Sequence, residues 1–505
     1  MKNFIRKYPF LSVMALAMVL RLVAMLFSKG YMASDDQFQT VDIAYRWLRV
    51  GIWDVDGNMN WSRYSSGIIS RFPLYNMLLY LNMKAVILLG YDSLDRIMYG
   101  VRLSHALFSL IGVAAVYKLV ESATTSKTWA AIAGLVMAAH FAMPFLAVRN
   151  LIEMFGGTLW TASLLYLYKH RSDNKLAFLM ISGVLAGLAW MFRFQMIFAF
   201  WVVPLILWYE YRRLLPALYY GCGVIAMILL AGLADWMWVG SFLGTSINYV
   251  RQGLSEGALY STSHFIYMAV IVAYFIPPVS LIVMYLALRR RFWTSHLALT
   301  ASTAAFVIIH SLAANRQERF VIPMLPALIV VFVLACHQHH QHSGFFRRHR
   351  KLSLAVLAFA LTVNIAALGP LTVNYGHKGL VEPLVKIERL SSSKPAVLFM
   401  SPEKSRIFPV SYGGFDLIER TYVYGWGDLD LIRDSSSEER RFDYYLLYPL
   451  RFDDLDRYKD SLISRVGPVD LVFHVGPSSI DNILHYLNPR HNVTNEAWAF
   501  RKADP

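Results

Sequence analysis

The chain has 505 residues, of which 56% are hydrophobic and only 16% charged. A soluble globular protein carries about a quarter charged residues, so that class is excluded. The formal net charge of +15 does not point to nucleic acid, because the excess Lys and Arg falls between apolar runs, where it sets membrane topology.

Those runs are about 17–24 residues long, enough to cross ~30 Å of hydrocarbon as helices. In chain order they predict spans near 9–27, 98–117, 128–147, 152–168, 176–191, 196–209, 215–234, 265–287, 293–313, 320–336 and 352–370, about eleven in all. Residues 73–91 form either a further span or a membrane-surface helix. The first run, Pro9–Phe27, contains Arg21 and no small-residue cleavage site follows it, so it reads as a retained helix. The two cysteines, Cys222 and Cys336, both lie inside apolar runs and imply no disulfide framework.

With the N-terminus cytoplasmic, the short inner connections hold seventeen Lys and Arg: Lys2, Arg6, Lys7, Lys118, Lys127, Lys169, Arg171, Lys175, Arg212, Arg213, Arg289, Arg290, Arg291, Arg347, Arg348, Arg350 and Lys351. The short outer ones hold five: Arg149, Arg193, Arg251, Arg316 and Arg319. The bias predicts an inner N-terminus, with the long first loop (28–96) and residues 371–505 outside. The first loop carries several Arg of its own, but long loops obey the charge rule poorly. Residues 371–505 are richer in charges and turn residues, with strand-like runs at 396–400, 443–448, 470–474 and 497–501. They predict a small extracytoplasmic α/β domain following a membrane domain of 1–370. The His-rich stretch His337–His342 reads as a solvated interfacial loop in preference to a metal tract, and the sequon at Asn492 as chance.

Sorted by side, the inner charges are generic. The outer set mixes acids, amides and arginines at helix mouths: Asp35, Asp36, Gln39, Asp42, Arg71, Arg149, Glu153, Arg193, Gln195, Asp235, Asn248, Arg316, Gln317, Glu318 and Arg319. A charge near the bilayer costs a few kcal/mol, of order +2.5–3.5 at mid-depth, unless it is paired or faces water. Taken singly, each residue could be an interfacial anchor or half of a structural ion pair; together they point to a polar site on the outer face. Asp35 and Asp36 open the first outer loop. A carboxylate there can take a proton from an attacking hydroxyl, and its neighbour can hold a hydroxyl or raise the first one's pKa. The pair could also be a helix N-terminus, where acids are favoured.

Five segments, in order, resemble the family 22 glycosyltransferases, the mannosyltransferases of N-glycan and GPI-anchor assembly, which have the GT-C fold. Ala33–Ile43 resembles that family's first-loop Asp-Glu motif, and Gly67–Pro73, with Arg71, its Ile-Arg-Ser-aromatic-Pro stretch. Arg149–Glu153 resembles its Arg-containing turn, Asp235–Trp236 with Ile247–Tyr249 its Asp-aromatic…Asn-Phe loop, and Asn315–Phe320 with Pro323 and Pro326 its His-Lys-Glu-x-Arg-Phe signature. Asn315 and Gln317 stand where the family has His and an acid, and Asp36 where it has Glu. The likeness covers residues 10–335 and leaves 371–505 unexplained.

The resemblance implies an α-helical polytopic membrane protein of GT-C type that uses a polyprenyl- or dolichyl-phosphate-linked sugar, usually mannose, and a glycan or glycolipid acceptor. Asp35 would be the general base and Asp36 its neighbour. Arg193, Arg319, Arg316 and Arg149 would meet the donor phosphate, since forked permanent cations suit phosphate. Gln39, Asp42, Arg71, Glu153, Gln195, Asp235, Asn248, Gln317 and Glu318 would line the substrates. A leaving phosphate stabilised by arginine needs no metal, so neither metal nor cofactor is expected. A transporter or flippase is the main alternative; it would show mid-membrane charges, inverted repeats and broken helices, and Arg21 and Pro277-Pro278 do lie inside spans, but there is no convincing repeat and a one-sided site favours the transferase. A catalytically inactive assembly protein is a third reading, and hydrolysis fits poorly because the acids crowd one loop.

Overall fold

The structure, a computed structural model, describes residues 7–32, 34–53, 72–256, 263–313, 316–391, 395–401, 408–413, 421–424, 442–449, 453–487 and 493–503. All eleven apolar runs are helical, though not all as single rods. Six helices among the described residues are long and apolar enough to cross a membrane: Pro9–Phe27, Leu94–Thr124, Phe194–Tyr211, Leu214–Val239, Glu318–His342 and Arg350–Thr372. Leu74–Leu88, Lys127–Ala139, Leu176–Phe192 and Leu297–Leu312 are shorter apolar helices, and the fourth run lies within Ile152–Asp173. Packing divides the chain into two units: 1–25, 53–75 and 103–372 in the first, 26–52, 76–102 and 373–505 in the second.

Among the departures from expectation in the first unit are two broken rods and one helix where a loop was expected. The run 265–287 bends by 116° between Ile266–Tyr274 and Val279–Ala287. Pro277 and Pro278 lie at the break, where they remove two backbone donors and push the preceding residue out of the helical region. The run 128–147 stops at Ala139 and resumes as the short helix Met143–Ala147. The groups freed at this break are met by side chains, as backbone at membrane depth requires. Arg21, fully buried, donates from Nη1 to Ala138 O (3.3 Å) and from Nη2 to Met137 O (3.4 Å), while its Nε holds Ser109 Oγ at 2.6 Å. Asn364 donates to Ala139 O and accepts from Phe141 N, both at 2.8 Å. The third departure is the His-rich stretch: His337–His342 is no loop but the last turns of the helix Leu325–His342.

Burial separates the spans of this unit. The apolar window of Glu318–His342 is 89% buried and that of Arg350–Thr372 is 0% buried, so the first is a central helix and the second presents its apolar face outward. Glycine permits the closest approaches. A methyl at Gly183 would overlap Tyr220 O, and one at Gly223 would overlap Met180 O, so Leu176–Phe192 and Leu214–Val239 meet backbone to backbone. At Gly157 a methyl would overlap Pro323 O, and at Gly156 it would come within 3.3 Å of Arg193 Cβ. Gly157→Ala is therefore expected to force Ile152–Asp173 away from the Glu318–Met324 turn, costing about 1–3 kcal/mol. Thermal unfolding of the detergent-solubilised variant checks this, and an unchanged Tm would mean the contact can relax.

The second unit is built on a five-stranded mixed sheet. Its strands are β3 (Val397–Ser401), β4 (Thr421–Tyr424), β5 (Tyr444–Leu447), β6 (Val469–Val475) and β7 (Ala497–Lys502), numbered after the two-residue strands β1 (Lys29–Gly30) and β2 (Tyr375–Gly376). The order is β4-β3-β5-β7-β6, with β3 parallel to β4 and β5, and β7 antiparallel to β5 and β6. Four of these strands lie at the predicted runs; β4 is an addition. β3 is buried at every position, as a strand covered on both faces must be. Leu398, Met400, Tyr445, Leu447 and Phe500 from the sheet close a core with Leu455, Tyr458 and Leu462 from the helix Asp453–Val466. β1 pairs in parallel with β2, which ties residues 29–30 of the first loop into the same unit. Gly30 is required there: its φ is +71° and a Cβ would overlap Gly376 O.

One carboxyl of this unit gives a pH signature. Burial, with Asp95 and Asp92 adding to it, raises Glu388, in the helix Lys378–Leu390, above the ordinary carboxylate range. The folded state thus favours the protonated form. Its contribution is present below the unfolded pKa, about 4.3 for Glu, and is lost as pH rises through the raised folded value. Glu388→Gln copies the protonated form. It is expected to raise Tm near pH 7 and to leave it unchanged near pH 4; an equal shift at both would sink this account.

Candidate active site

The predicted residues fall in both units and are described within each. In the first, Glu153 occupies the first turn of Ile152–Asp173 and Arg193 caps the C-terminal end of Leu176–Phe192. Each charge thus sits at the helix end whose dipole favours it. Gly156, which faces Arg193 Cβ, lets the two ends approach, and Arg193 Nη1 lies 3.4 Å from Glu153 Oε1 with both side chains almost wholly buried. Arg193 Nη2 is buried without a hydrogen-bond partner. A buried donor left open costs about 1–3 kcal/mol, more when charged, so this nitrogen is free to bond a ligand atom.

Phe320 brings the second arginine in. Its ring lies 4.8 Å from the Arg193 guanidinium carbon and 5.7 Å from that of Arg319. The two cations therefore share one aromatic ring, and both residues are buried. The turn that carries them, Glu318–Met324, is a 3-10 segment with Gln317 at its N-cap. Arg316, also buried, donates from Nη1 to Ala313 O at 2.6 Å. Glu318 is exposed and Gln317 half-buried.

Gln195, in the next turn after Arg193, donates from Nε2 to the hydroxyl of Tyr249, while its Oε1 is buried and open. Tyr249 also packs on Phe194 at 5.3 Å, so the helix Gly244–Glu256, which carries Asn248, is tied to the Arg193 turn. Arg149 is 1% exposed and lies 4.4 Å above the ring of Phe145. Asp235 does not join the arginines: its Oδ2 accepts from Thr245 N (2.9 Å) and Thr245 Oγ1 (2.7 Å), fastening the end of Leu214–Val239 to the next helix.

In the second unit Asp35 and Asp36 form the first turn of the helix Ser34–Val50, a position whose dipole stabilises carboxylates. Neighbouring residues hold this turn. Gln37 is 1% exposed and accepts from Met32 N at 2.7 Å, and Phe38 packs edge-on against Tyr31 at 4.5 Å. Asp42, one face further along, is buried and accepts from Ser411 N at 3.3 Å and from Ser411 Oγ. Tyr31 and Tyr412 share a hydroxyl–hydroxyl hydrogen bond of 2.7 Å, and burial raises both phenols above their ordinary value. Gln39 is half-buried. Arg71 and Asn315 lie outside the described residues. Gln37, Tyr249 and Phe320 lie within the quoted motifs but were not named as site residues, and Tyr31, Ser411 and Tyr412 had no motif to mark them.

Over residues 12–396 the sequence matches the Alg9-like mannosyltransferase family. The chain belongs to that family. This Alg9-like protein is accordingly an integral membrane glycosyltransferase. A comparison with curated proteins returned no match. Among solved structures, ArnT from Cupriavidus metallidurans bound to undecaprenyl phosphate is 14% identical, with TM-score 0.62 and 97% of each chain covered. The apo state of the same protein gives 14% identity and TM-score 0.63 over the same 97% shares. At that identity the likeness is one of fold: the glycosyltransferase has the GT-C architecture over nearly its whole length, the segment after residue 370 included.

Proposed function

We propose that the protein transfers a hexose, mannose in the first instance, from a polyprenyl-phosphate carrier to a hydroxyl of a glycan or glycolipid on the extracytoplasmic side of the membrane. The observation that carries this reading is the pair of buried guanidiniums, Arg193 and Arg319, on the Phe320 ring, with Arg193 Nη2 still open. A lipid phosphodiester gains charge on oxygen as the sugar leaves. Preorganised, permanent cations in a dry setting stabilise that charge more than water does. Arg316 and Arg149 stand behind them in this role. Undecaprenyl phosphate bound to the structurally similar ArnT supports a lipid-phosphate donor.

The reaction is a single displacement. The acceptor oxygen attacks the anomeric carbon, the bond from that carbon to the phosphate oxygen breaks, and its electron pair leaves with the phosphate. Asp35 takes the acceptor proton, Asp36 holds a neighbouring hydroxyl, and the anomeric configuration inverts. Gln39, Asp42, Arg71, Glu153, Gln195, Asp235, Asn248, Gln317 and Glu318 line or support the substrate sites. The seventeen-to-five charge bias between short connections supports an inner N-terminus with the acids outside.

The test is incubation of the purified protein with undecaprenyl-phosphate-mannose and a panel of glycolipids, read by mass spectrometry and by the anomeric coupling of the product. The expected result is an acceptor heavier by one hexose, with inverted linkage and released lipid phosphate. Movement of intact donor across a liposome bilayer without transfer would favour a flippase instead.

A further inference from the structure

His310 lies near the end of the helix Leu297–Leu312 and is 3% exposed. Its ring is enclosed by aromatics: Phe306 stacks on it at 4.0 Å, Phe198 meets it edge-on at 5.1 Å, and Tyr267 and Phe320 stand at 6.2 and 6.5 Å. Phe320 is the ring on which Arg193 also lies, and Phe198 follows Gln195 by three residues, so His310 borders the arginine site. Its Nδ1 is 2.9 Å from Phe306 O. A carbonyl only accepts, so Nδ1 carries a hydrogen and donates. Nε2 is buried with no partner.

An imidazolium in this cage would need a counter-charge, and the buried carboxylate nearby, Glu153, already faces Arg193. The neutral ring presents a bare lone pair at Nε2, which can only accept. A phosphodiester anion has no hydrogen to give it; a sugar hydroxyl has. Arg193 Nη2 is an open donor and Gln195 Oε1 an open acceptor on the same border. One cationic donor and two neutral acceptors suit a ligand that is anionic at one end and polyhydroxylated beside it.

We propose that His310 Nε2 accepts a hydrogen bond from one hydroxyl of the donor's sugar ring, and so selects the sugar while the arginines hold the phosphate. This rests on the donor reading above. A site built around a hydroxyl penalises an analogue lacking it, because its own polar atom is then left bare. His310→Phe keeps the ring stack and removes the acceptor; His310→Gln keeps an acceptor on a different frame.

The experiment uses undecaprenyl-phosphate-mannose and its 2-, 3-, 4- and 6-deoxy forms with wild type and both variants, and measures undecaprenyl-phosphate binding separately. Wild type is expected to lose about ten- to a hundred-fold in kcat/KM on one deoxy donor. His310→Phe should lose about the same on the parent sugar, lose nothing further on that deoxy donor, and bind undecaprenyl phosphate as wild type does; His310→Gln should recover part of the loss. A His310→Phe variant unchanged on mannose, or slowed by the same factor on every donor, overturns the assignment. If wild type neither binds undecaprenyl phosphate nor uses any of these donors, the donor reading falls first and the role of His310 with it.

Discussion

Asp35→Asn is expected to lower turnover by about 10²–10⁴-fold, the usual cost of removing a general base, while donor binding survives. Asparagine keeps the shape and still holds a hydroxyl, but cannot accept the proton. Asp35 stands in the first turn of Ser34–Val50, where acids are favoured. The turn is also anchored from behind, through Gln37 on Met32 N, Phe38 on Tyr31, and Asp42 on Ser411. Asp36→Asn should act more on the acceptor KM, since Asp36 positions a hydroxyl. Single-turnover kinetics with donor binding measured in parallel separates the two. Near wild-type turnover in Asp35→Asn would reduce the residue to a helix cap, and a dead Asp36→Asn beside an active Asp35→Asn would move the base by one residue.

Arg193→Ala should damage both the fold and the chemistry, in separable amounts. Its removal leaves Glu153 buried and unpaired, and breaking one side of a buried pair costs about 3–5 kcal/mol. Arg193→Ala with Glu153→Gln removes both charges and should restore most of that stability, because a neutral amide tolerates burial better than a bare carboxylate. It should not restore donor affinity, since the forked cation is gone. The expected pattern is a Tm that falls in the single variant and largely recovers in the double, with the donor KM raised in both. Recovery of donor KM alongside Tm would assign Arg193 to structure alone.

Much of this architecture is legible in the residues because membrane helices announce themselves through length and apolarity. Loop arginines and lysines carry a second, independent signal about sidedness. The strands β3, β5, β6 and β7 were legible as short apolar runs between turn residues. What escaped has a common cause: it depends on partners far away in the chain. Pro144 is a local sign that the helix breaks near 140–142, but the groups that satisfy the break belong to the distant Arg21 and Asn364. The hydrogen bond between Tyr31 and Tyr412 joins phenols 381 residues apart. The arginines were legible as a set, but their division of labour was not: that Arg193 is half committed to Glu153 while its other nitrogen stays open is a matter of ångströms. His310 looked like one more residue in an apolar run, and its significance lies in the tautomer that Phe306 O imposes.

The interrupted helix at 127–147 also bears on how the protein is made. Its broken backbone is made early in synthesis, when Arg21, which meets the carbonyls of Met137 and Ala138, and Ser109, which holds Arg21 Nε, are already present. Phe141 N and Ala139 O must wait for Asn364, which follows more than 220 residues later. Until the helix Arg350–Thr372 arrives, those two groups stand in the membrane unmatched, at a cost of several kcal/mol each. The helix Arg350–Thr372 thus works as a keystone: through Asn364 it closes a break laid down far earlier in the chain.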